Sequence, residues 1–187
     1  HIKLVLGTFI VDCSTGMRIG ECLCLAWKDI DFEKKTIFIH HTLSCVDGEC
    51  YLDSPKTKSS VRLIAMNSTV EKCLREQQAY VEKLKMALGN KYAHPEMVFP
   101  SSLGNYRDRS SVYHSLKRMT KGTEFEDMTL HKLSHRNATL LLNSGVDLKV
   151  ISEHLGHCDI GVTANIYADV LKSTKAKVAD LVTLKLS

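Results

Sequence analysis

The sequence lacks the long apolar runs and the leader pattern that membrane and exported proteins carry. No stretch approaches about 18 uninterrupted apolar residues, and the opening HIKLVLGTFIVDCSTG has neither a basic leading region nor a small-residue cleavage site. We therefore expect no membrane association and a cytoplasmic protein. Internal repeats, low-complexity tracts and Gly/Ser linkers are absent too, so we expect one domain over residues 1–187.

Two common kinds of phosphate chemistry also lack their signatures. There is no Gly-rich phosphate loop, and no carboxylate cluster suggests a two-metal nuclease. We therefore predict neither a metal nor another cofactor. The net charge of +4 and the pI near 8.6 permit a polyanionic partner, and the 25 Lys and Arg residues are spread along the chain. A nucleic acid would therefore have to bind in a folded groove.

The chain contains seven cysteines, an odd number. Four of them lie inside apolar helical patterns, where cysteine behaves as a small hydrophobe: Cys13, Cys22, Cys24 and Cys73. These are predicted to be buried free thiols. A zinc site is the alternative, since four potential ligands lie close together in sequence: His40, His41, Cys45 and Cys50. Their spacing matches no paired-cysteine template, and a β-hairpin explains the region better.

Apolar spacing predicts a mostly α-helical protein with a small antiparallel β-sheet, which is an α+β fold. Helices are predicted over 2–13, 17–27, 69–88, 110–119, from Thr129 to a stop at 143–145, and over 148–155 after an Asp147 cap. Alternating residues predict a strand over 36–40, a turn at Asp47-Gly48, a returning strand at 51–52 and a third strand over 61–66.

Residues 129–170 hold the most chemistry, with four histidines and a tyrosine in a run of short helices. At about 100° per residue, His131, Ser134 and His135 share one helix face, while Arg136 lies about 160° from Ser134. Gly156 ends the next helix just before His157. Taken singly, each of these residues has an ordinary structural explanation.

Arg18 lies in the first turn of the helix predicted over 17–27. A cation there opposes the positive end of the helix dipole, which makes sense if the site binds an anion. The alternative is a surface arginine paired with Glu21 or Glu33.

Taken together, TGMRIGE, PKTKSSVR, HKLSH, LGH and Tyr167 closely resemble, in identity, order and spacing, the catalytic domain of the tyrosine recombinase (phage integrase) family. The resemblance covers nearly the whole chain. It implies site-specific DNA cleavage and joining by transesterification, in which Tyr167 attacks a scissile phosphate and forms a 3′-phosphotyrosyl bond. Neither metal nor ATP is needed for that reaction.

The resemblance also implies roles for other residues. Arg18 would clamp the non-bridging phosphate oxygens, while His131 and His157 would donate hydrogen bonds or move protons. Lys58, four residues before Arg62 in the predicted loop, would protonate the leaving oxygen, with Lys56 as the alternative. The predicted DNA contacts are Arg18, Lys58 and Arg62.

The sequence departs from the family at one informative position. The family pattern has a second arginine three residues after the first motif histidine, where this chain has Ser134. Arg136 does not replace this arginine unless the helix start shifts, because Arg136 points to another face of the helix. The roles of His135 and Lys56 are left open. The hypothesis is a protein that binds DNA but cleaves it slowly or not at all.

Family members also carry a core-binding domain, and sometimes an arm-binding domain, before the catalytic domain. Nothing in these 187 residues corresponds to either, so we expect a catalytic fragment whose DNA binding is weak and salt-dependent. The expected partners are double-stranded attachment sites and further copies of the chain in a tetrameric synapse. The tail over 173–187 either packs on its own domain or docks on a neighbouring subunit.

Two other functions share part of this pattern. A type IB topoisomerase uses the same chemistry to relax DNA, but the close match from LGH to Tyr167 and the short tail favour a recombinase. A helix-rich small-molecule enzyme is disfavoured because the cationic residues come without any cofactor motif.

Overall fold

The structure is a computed structural model that describes residues 2–54, 60–156, 159, 161, 163–165 and 168. It is mostly helical with two small antiparallel sheets, which confirms the predicted fold class. The helices are α1 (Ile2–Thr15), α2 (Ile19–Leu23), α3 (Ser68–Leu88), α4 (Arg109–Thr120), α5 (Leu130–Asn143) and α6 (Leu148–Leu155). The strands are β1 (Ile30–Asp31), β2 (Thr36–Ile39), β3 (Thr42–Val46), β4 (Glu49–Asp53) and β5 (Arg62–Ala65). Within the described ranges, no helix is both long enough and apolar enough to cross a bilayer.

Helix α1 lies at the centre because its apolar residues point in several directions. Val11 packs in a cluster with the β2 and β5 side chains and with α3, while Val5 and Phe9 pack against α2, α4 and α5. A third, smaller cluster joins α5 to α6. One acidic side chain lies within this apolar helix: Asp12 is 0% exposed. The helix therefore carries a buried carboxyl group between two apolar clusters.

The second helix is shorter than predicted. It ends at Leu23 instead of reaching residue 27, and a single 3-10 turn follows over Trp27–Asp29. The chain leaves the helix because it pairs with a distant segment: the Trp27 N–H donates to the Glu96 carbonyl at 2.9 Å, and the Val98 N–H donates to the Leu25 carbonyl at 2.9 Å. The helix also starts later than predicted, at Ile19, so Arg18 precedes it as the N-cap residue.

The prediction of a single sheet is also wrong. Strand β2 pairs with β1 and β5, whereas β3 and β4 form a separate two-stranded hairpin around the predicted Asp47-Gly48 turn. The hairpin leaves the sheet because it packs against α2 at Gly20, where a Cβ would lie 2.6 Å from Thr42 Oγ1. A side chain at residue 20 would force the hairpin away from α2.

The hairpin also changes the assignment of the cysteines. Cys45 and Cys50 occupy opposite positions on β3 and β4 and form a disulfide, which the sequence analysis did not predict. Opposed residues on paired strands bring two sulfurs within bonding distance. Of the four predicted free thiols, all are free; Cys22 and Cys24 are buried, while Cys13 and Cys73 are half-buried. Burial raises the pKa of the Cys13 and Cys73 thiols to about 11.

Helices α3, α4, α5 and α6 begin at side-chain caps. The Thr129 side chain accepts a hydrogen bond from the Lys132 N–H, and the Asp147 side chain accepts one from the Lys149 N–H, as predicted. Helix α6 ends at Gly156, also as predicted. These caps fix where α5 and α6 start and end, and so which of their residues face the rest of the protein.

Replacing the α5 cap should destabilise the fold. We expect Thr129→Ala to lower the free energy of unfolding by about 1 kcal/mol, because the Lys132 N–H loses its acceptor. Thr129→Ser keeps the hydroxyl and should lose much less. Denaturant unfolding of the three proteins measures the difference, and equal losses in both variants would contradict the role of the cap.

Candidate active site

A cavity of about 660 Å³ opens between α2, the β3–β4 hairpin, α4 and the first half of α5. Four residues singled out in the sequence line it: Arg18, His131, Ser134 and His135. The predicted helix face is therefore confirmed, since three of them come from α5. The hairpin contributes Tyr51 and Asp53, and α4 contributes Arg109. Arg136 is exposed and is not among the lining residues.

The Arg18 side chain is half-exposed at this cavity and is fixed at two points. Its Nη1 donates to Glu21 Oε1 at 3.0 Å, and its Nη2 donates to the Gly156 carbonyl at 3.0 Å. The Arg18 backbone N–H donates to Glu21 Oε2 at 2.9 Å. The pairing with Glu21 confirms one alternative for Arg18, but 47% of the side chain stays exposed, so an anion can still reach it.

Glu21 is shared between two arginines in the protein interior. Its side chain is 4% exposed, and it also accepts from Arg62 Nη1 at 3.1 Å and Nη2 at 2.9 Å. One carboxylate thus faces two guanidinium groups, which leaves a net positive charge. Because Arg62 is buried, the excess charge is presented to solvent by Arg18.

Arg62 itself is committed to protein acceptors. Besides Glu21, its Nε donates to the His154 carbonyl at 2.8 Å and its Nη1 to the Ser60 carbonyl at 3.1 Å, and its side chain is only 8% exposed. Little of the Arg62 side chain is therefore exposed, and its role as a DNA contact stays a prediction. The sequence suggested a surface role because Arg62 follows a lysine-rich loop; its neighbours across the fold were not visible there.

The end of α6 is held by these same arginines. The last-turn carbonyls of His154 and Gly156 accept from Arg62 and Arg18. The His154 ring hydrogen-bonds the Thr15 backbone, and burial, with a smaller effect from Arg62, lowers the pKa of His154, so this ring is neutral at pH 7. The end of α6 therefore lies beside Arg18.

Helix α5 holds the turn at residues 15–18 from the other side. Ser134 Oγ lies 3.0 Å from Asp12 Oδ1 and 3.2 Å from the Met17 carbonyl, and Asn137 Nδ2 donates to the Cys13 carbonyl at 3.2 Å. Burial raises the pKa of Asp12 to about 8, against a smaller lowering by the Ser134 hydrogen bond. Asp12 was not among the predicted site residues, although a lone carboxylate inside an apolar helix was a usable signal.

The remaining predicted residues cannot be placed by this structure. Lys56, Lys58, His157 and Tyr167, and the tail over 173–187, lie outside the described residues. The described part of the site consists of Arg18 with its buried partners and the α5 residues His131, Ser134 and His135. The rings of His131 and His135 lie with their centroids 3.8 Å apart.

The fold is that of tyrosine recombinase catalytic domains. The crystal structure of XerA recombinase superposes with a TM-score of 0.67 at 22% identity, covering 94% of this chain and 56% of that one. The Tn1549 transposon integrase in complex with transposon right end DNA gives a TM-score of 0.70 at 28% identity, covering 92% of this chain and 58% of that one.

The sequence profile of the phage integrase family matches residues 7–174, and the chain belongs to that family. It is similar to the ICEBs1 integrase of Bacillus subtilis (strain 168), with 31% identity over 183 residues that cover 95% of this chain and 48% of the relative. It is also similar to a XerC-like tyrosine recombinase of Caldanaerobacter subterraneus subsp. tengcongensis, with 32% identity over 184 residues covering 92% and 47%. The chain spans about half the length of these curated relatives.

Removing the shared carboxylate should be costly. We expect Glu21→Gln to lower the free energy of unfolding by about 3 to 5 kcal/mol, because Arg62 is left buried without a counter-charge. Glu82→Gln is the matched control, since Glu82 pairs with Lys85 on the surface of α3. Denaturant unfolding compares the two variants; equally small losses would show that Glu21 is not needed to neutralise Arg62.

Proposed function

We propose that the chain is the catalytic domain of a site-specific DNA recombinase or integrase, and that its cavity binds the scissile phosphate at Arg18. The observation that supports this most directly is the position of the Arg18 guanidinium. It is held by Glu21 and by the Gly156 carbonyl, yet 47% of the side chain is exposed. His131 and His135 line the same cavity. Membership of the phage integrase family supports the proposal. So does the similarity to a transposon integrase solved in complex with DNA.

In the proposed reaction Tyr167 passes its proton to a histidine of the site, His131 or His157, and its oxygen attacks the phosphorus atom. The bond from phosphorus to the 5′ oxygen breaks, and Lys58 protonates that oxygen, which leaves as a 5′-hydroxyl. A partner strand's 5′-hydroxyl later attacks the phosphotyrosyl bond and releases Tyr167. Each step exchanges one phosphoester bond for another, so the reaction requires no external energy source.

Arg18 would act on the charge that develops on the non-bridging oxygens. A donor that is already oriented costs no reorganisation when the transition state forms. Among the described residues, the anchors on Arg18 are a buried carboxylate and a main-chain carbonyl, both on short hydrogen bonds. The α5 histidines line the same cavity and can donate to the same phosphate.

Ser134 supports a second candidate function, a DNA-binding family member with impaired cleavage. The family's second arginine is expected at residue 134, and here the side chain is a hydroxyl within hydrogen-bond distance of Asp12 and the Met17 carbonyl. Losing one oriented donor typically costs about 2.7 to 4 kcal/mol of transition-state stabilisation, or roughly a hundred- to a thousandfold in rate.

A suicide DNA substrate that traps the covalent intermediate tests both candidates. We expect the chain to form the adduct slowly, and Ser134→Arg to accelerate its formation by up to about a hundredfold, because a phosphate donor is restored but shares its charge with Asp12. Ser134→Lys is the matched control, since it restores a charge without the planar fork. Tyr167→Phe should abolish the adduct in both backgrounds.

The outcomes separate the candidates. Rapid adduct formation by the unmodified chain, lost in Tyr167→Phe, would contradict impairment and support the recombinase. Absence of an adduct in every variant, with DNA bound, would support a binding protein. Relaxation of supercoiled DNA without strand exchange would favour the type IB topoisomerase alternative.

Binding of the chain to duplex DNA should depend steeply on salt. Each phosphate contact contributes a slope of about −0.9 to the plot of log K against log salt concentration. Arg18→Ala should weaken binding and reduce the magnitude of that slope by about one unit. Arg75→Ala is the control, because Arg75 pairs with Glu71 on α3. Fluorescence anisotropy at several salt concentrations measures both; tight, salt-insensitive binding would contradict a phosphate site.

Strand exchange between two duplexes involves several cleavage sites, so we further propose that copies of the chain assemble on DNA, as the family resemblance implies. The expected assembly is a tetramer on two attachment sites. Mass measurement of DNA-bound complexes tests the stoichiometry.

A further inference from the structure

Asp12 is a buried acid with no role in the reaction described above. It lies on α1, is 0% exposed, and faces α5 through Ser134. Its second oxygen, Oδ2, is buried without a hydrogen-bond partner among the described residues. An ionised carboxylate in such a place would be severely under-solvated, whereas a protonated acid needs only one acceptor and one donor.

The hydrogen bonds around Ser134 fix where the protons must be. Ser134 Oγ lies 3.0 Å from Asp12 Oδ1 and 3.2 Å from the Met17 carbonyl. A hydroxyl has one proton to donate, and a carbonyl oxygen can only accept. Both contacts are full two-centre hydrogen bonds at once only if the Asp12 acid donates to Ser134 while Ser134 donates to Met17. If Asp12 is ionised, the Ser134 proton turns to it and the Met17 carbonyl loses its donor.

We propose that Asp12, as the protonated acid, is a positioning residue that acts through Ser134 and the Met17 carbonyl to hold Arg18 in the geometry that binds phosphate. Met17 directly precedes Arg18, and its carbonyl belongs to the turn that starts at Gly16. The inference rests on the proposed phosphate-binding role of Arg18. It also gives Ser134 a function of its own: passing the protonation state of Asp12 to that turn.

The charged surroundings of Asp12 are consistent with this assignment. Burial, with an added effect from Glu21, raises the pKa of Asp12 to about 8, so the acid is mostly protonated at pH 7 and mostly ionised at pH 9. The neighbouring thiols stay neutral in this range, because burial raises the pKa of Cys13 to about 11 and holds the pKa of Cys22 well above its ordinary value. His154, which bonds the same turn, has a lowered pKa and is neutral throughout it.

The other charged groups nearby belong to α5. Arg136 lies close enough to Cys13 to affect its pKa, and His131 and His135 line the cavity on the same helix as Ser134. Asp12→Asn removes only the Asp12 ionisation, so comparison with this variant separates the contribution of these groups to any pH dependence from that of Asp12.

The test measures duplex DNA affinity between pH 7 and pH 9, together with NMR of the Asp12 carboxyl carbon and the Arg18 Nε–H group. DNA phosphodiesters keep their charge over this window. For the unmodified chain we expect affinity to fall by about two- to tenfold, the effect of one hydrogen bond, with the Arg18 signal shifting at the Asp12 midpoint.

Asp12→Asn cannot ionise and should keep its pH 7 affinity at pH 9. Asp127→Asn, an exposed acid preceding α5, is the matched control and should behave as the unmodified chain.

Ser134→Ala provides a second, independent variant. It breaks the relay, so Asp12 should still titrate while the Arg18 signal and the DNA affinity no longer follow it. If Asp12 and Ser134 only supported the fold, Ser134→Ala would not separate the Arg18 signal from the Asp12 titration. If Asp12→Asn fails to fold, the Ser134→Ala comparison and the titration of the unmodified chain still decide.

The outcomes distinguish this inference from the proposed function. If DNA never perturbs the Arg18 signal at any pH, the phosphate site itself is refuted. If DNA perturbs Arg18 but affinity falls equally in Asp12→Asn, or if Arg18 still follows the Asp12 titration in Ser134→Ala, the positioning role is refuted and the phosphate site stands.

The stability of the fold offers a check on Asp12 alone. Below pH 4 the acid is protonated in both the folded and the unfolded chain. Between about pH 4 and pH 8 the unfolded chain releases this proton and the folded chain retains it, so Asp12 makes the folded state progressively less stable as pH rises. Asp12→Asn should therefore gain stability over the unmodified chain across this range and show a constant advantage above it; a constant difference at all pH would refute a raised pKa.

Discussion

The buried carboxylate of Glu21 is the interaction on which the site depends. It neutralises Arg62 in the interior and orients Arg18 at the surface, while the same two arginines satisfy the His154 and Gly156 carbonyls at the end of α6. A buried ion pair is weak support for stability as such, because desolvation offsets much of the attraction. Its effect here is geometric. Glu21 cannot move away without leaving the buried charge of Arg62 unpaired, and it therefore holds the Arg18 guanidinium at the cavity.

The turn before α2 is constrained as tightly by shape as by charge. Gly16 has a φ of +66°, and a Cβ there would lie 2.4 Å from Leu155 and 2.9 Å from Asn137 Oδ1. Helices α5 and α6 therefore approach the main chain directly, which only glycine permits. This close approach brings Ser134 within reach of the Met17 carbonyl and the end of α6 within reach of Arg18. Segments more than 110 residues apart thus share one site.

Features set by local helix geometry could be predicted from the sequence, whereas features set by contacts between distant segments could not. The α5 face with His131 and Ser134, and the caps at Thr129 and Asp147, follow from local helical geometry and were predicted correctly. The length of α2 depends on pairing with residues 96–98, and the separation of the β3–β4 hairpin from the sheet depends on its packing against α2; neither was predicted. The burial of Arg62 and Asp12 depends on packing across the whole fold, which residue spacing does not encode. The roles of Lys58, His157 and Tyr167 stay predictions from the family resemblance.

Because Ser134 contacts Asp12, the absence of an arginine at residue 134 affects the buried acid as well as the candidate phosphate site. Ser134 lines the cavity and also reaches Asp12, so residue 134 lies between the buried acid and the candidate phosphate site. A guanidinium introduced there would lower the pKa of Asp12 and favour its ionised form, because an opposite charge would then lie beside it. The new cation would divide its hydrogen bonds between Asp12 and the phosphate, and part of its charge would be neutralised internally. A neutral acid paired with a hydroxyl leaves this cluster uncharged, so the positive charge on this side of the turn rests on Arg18.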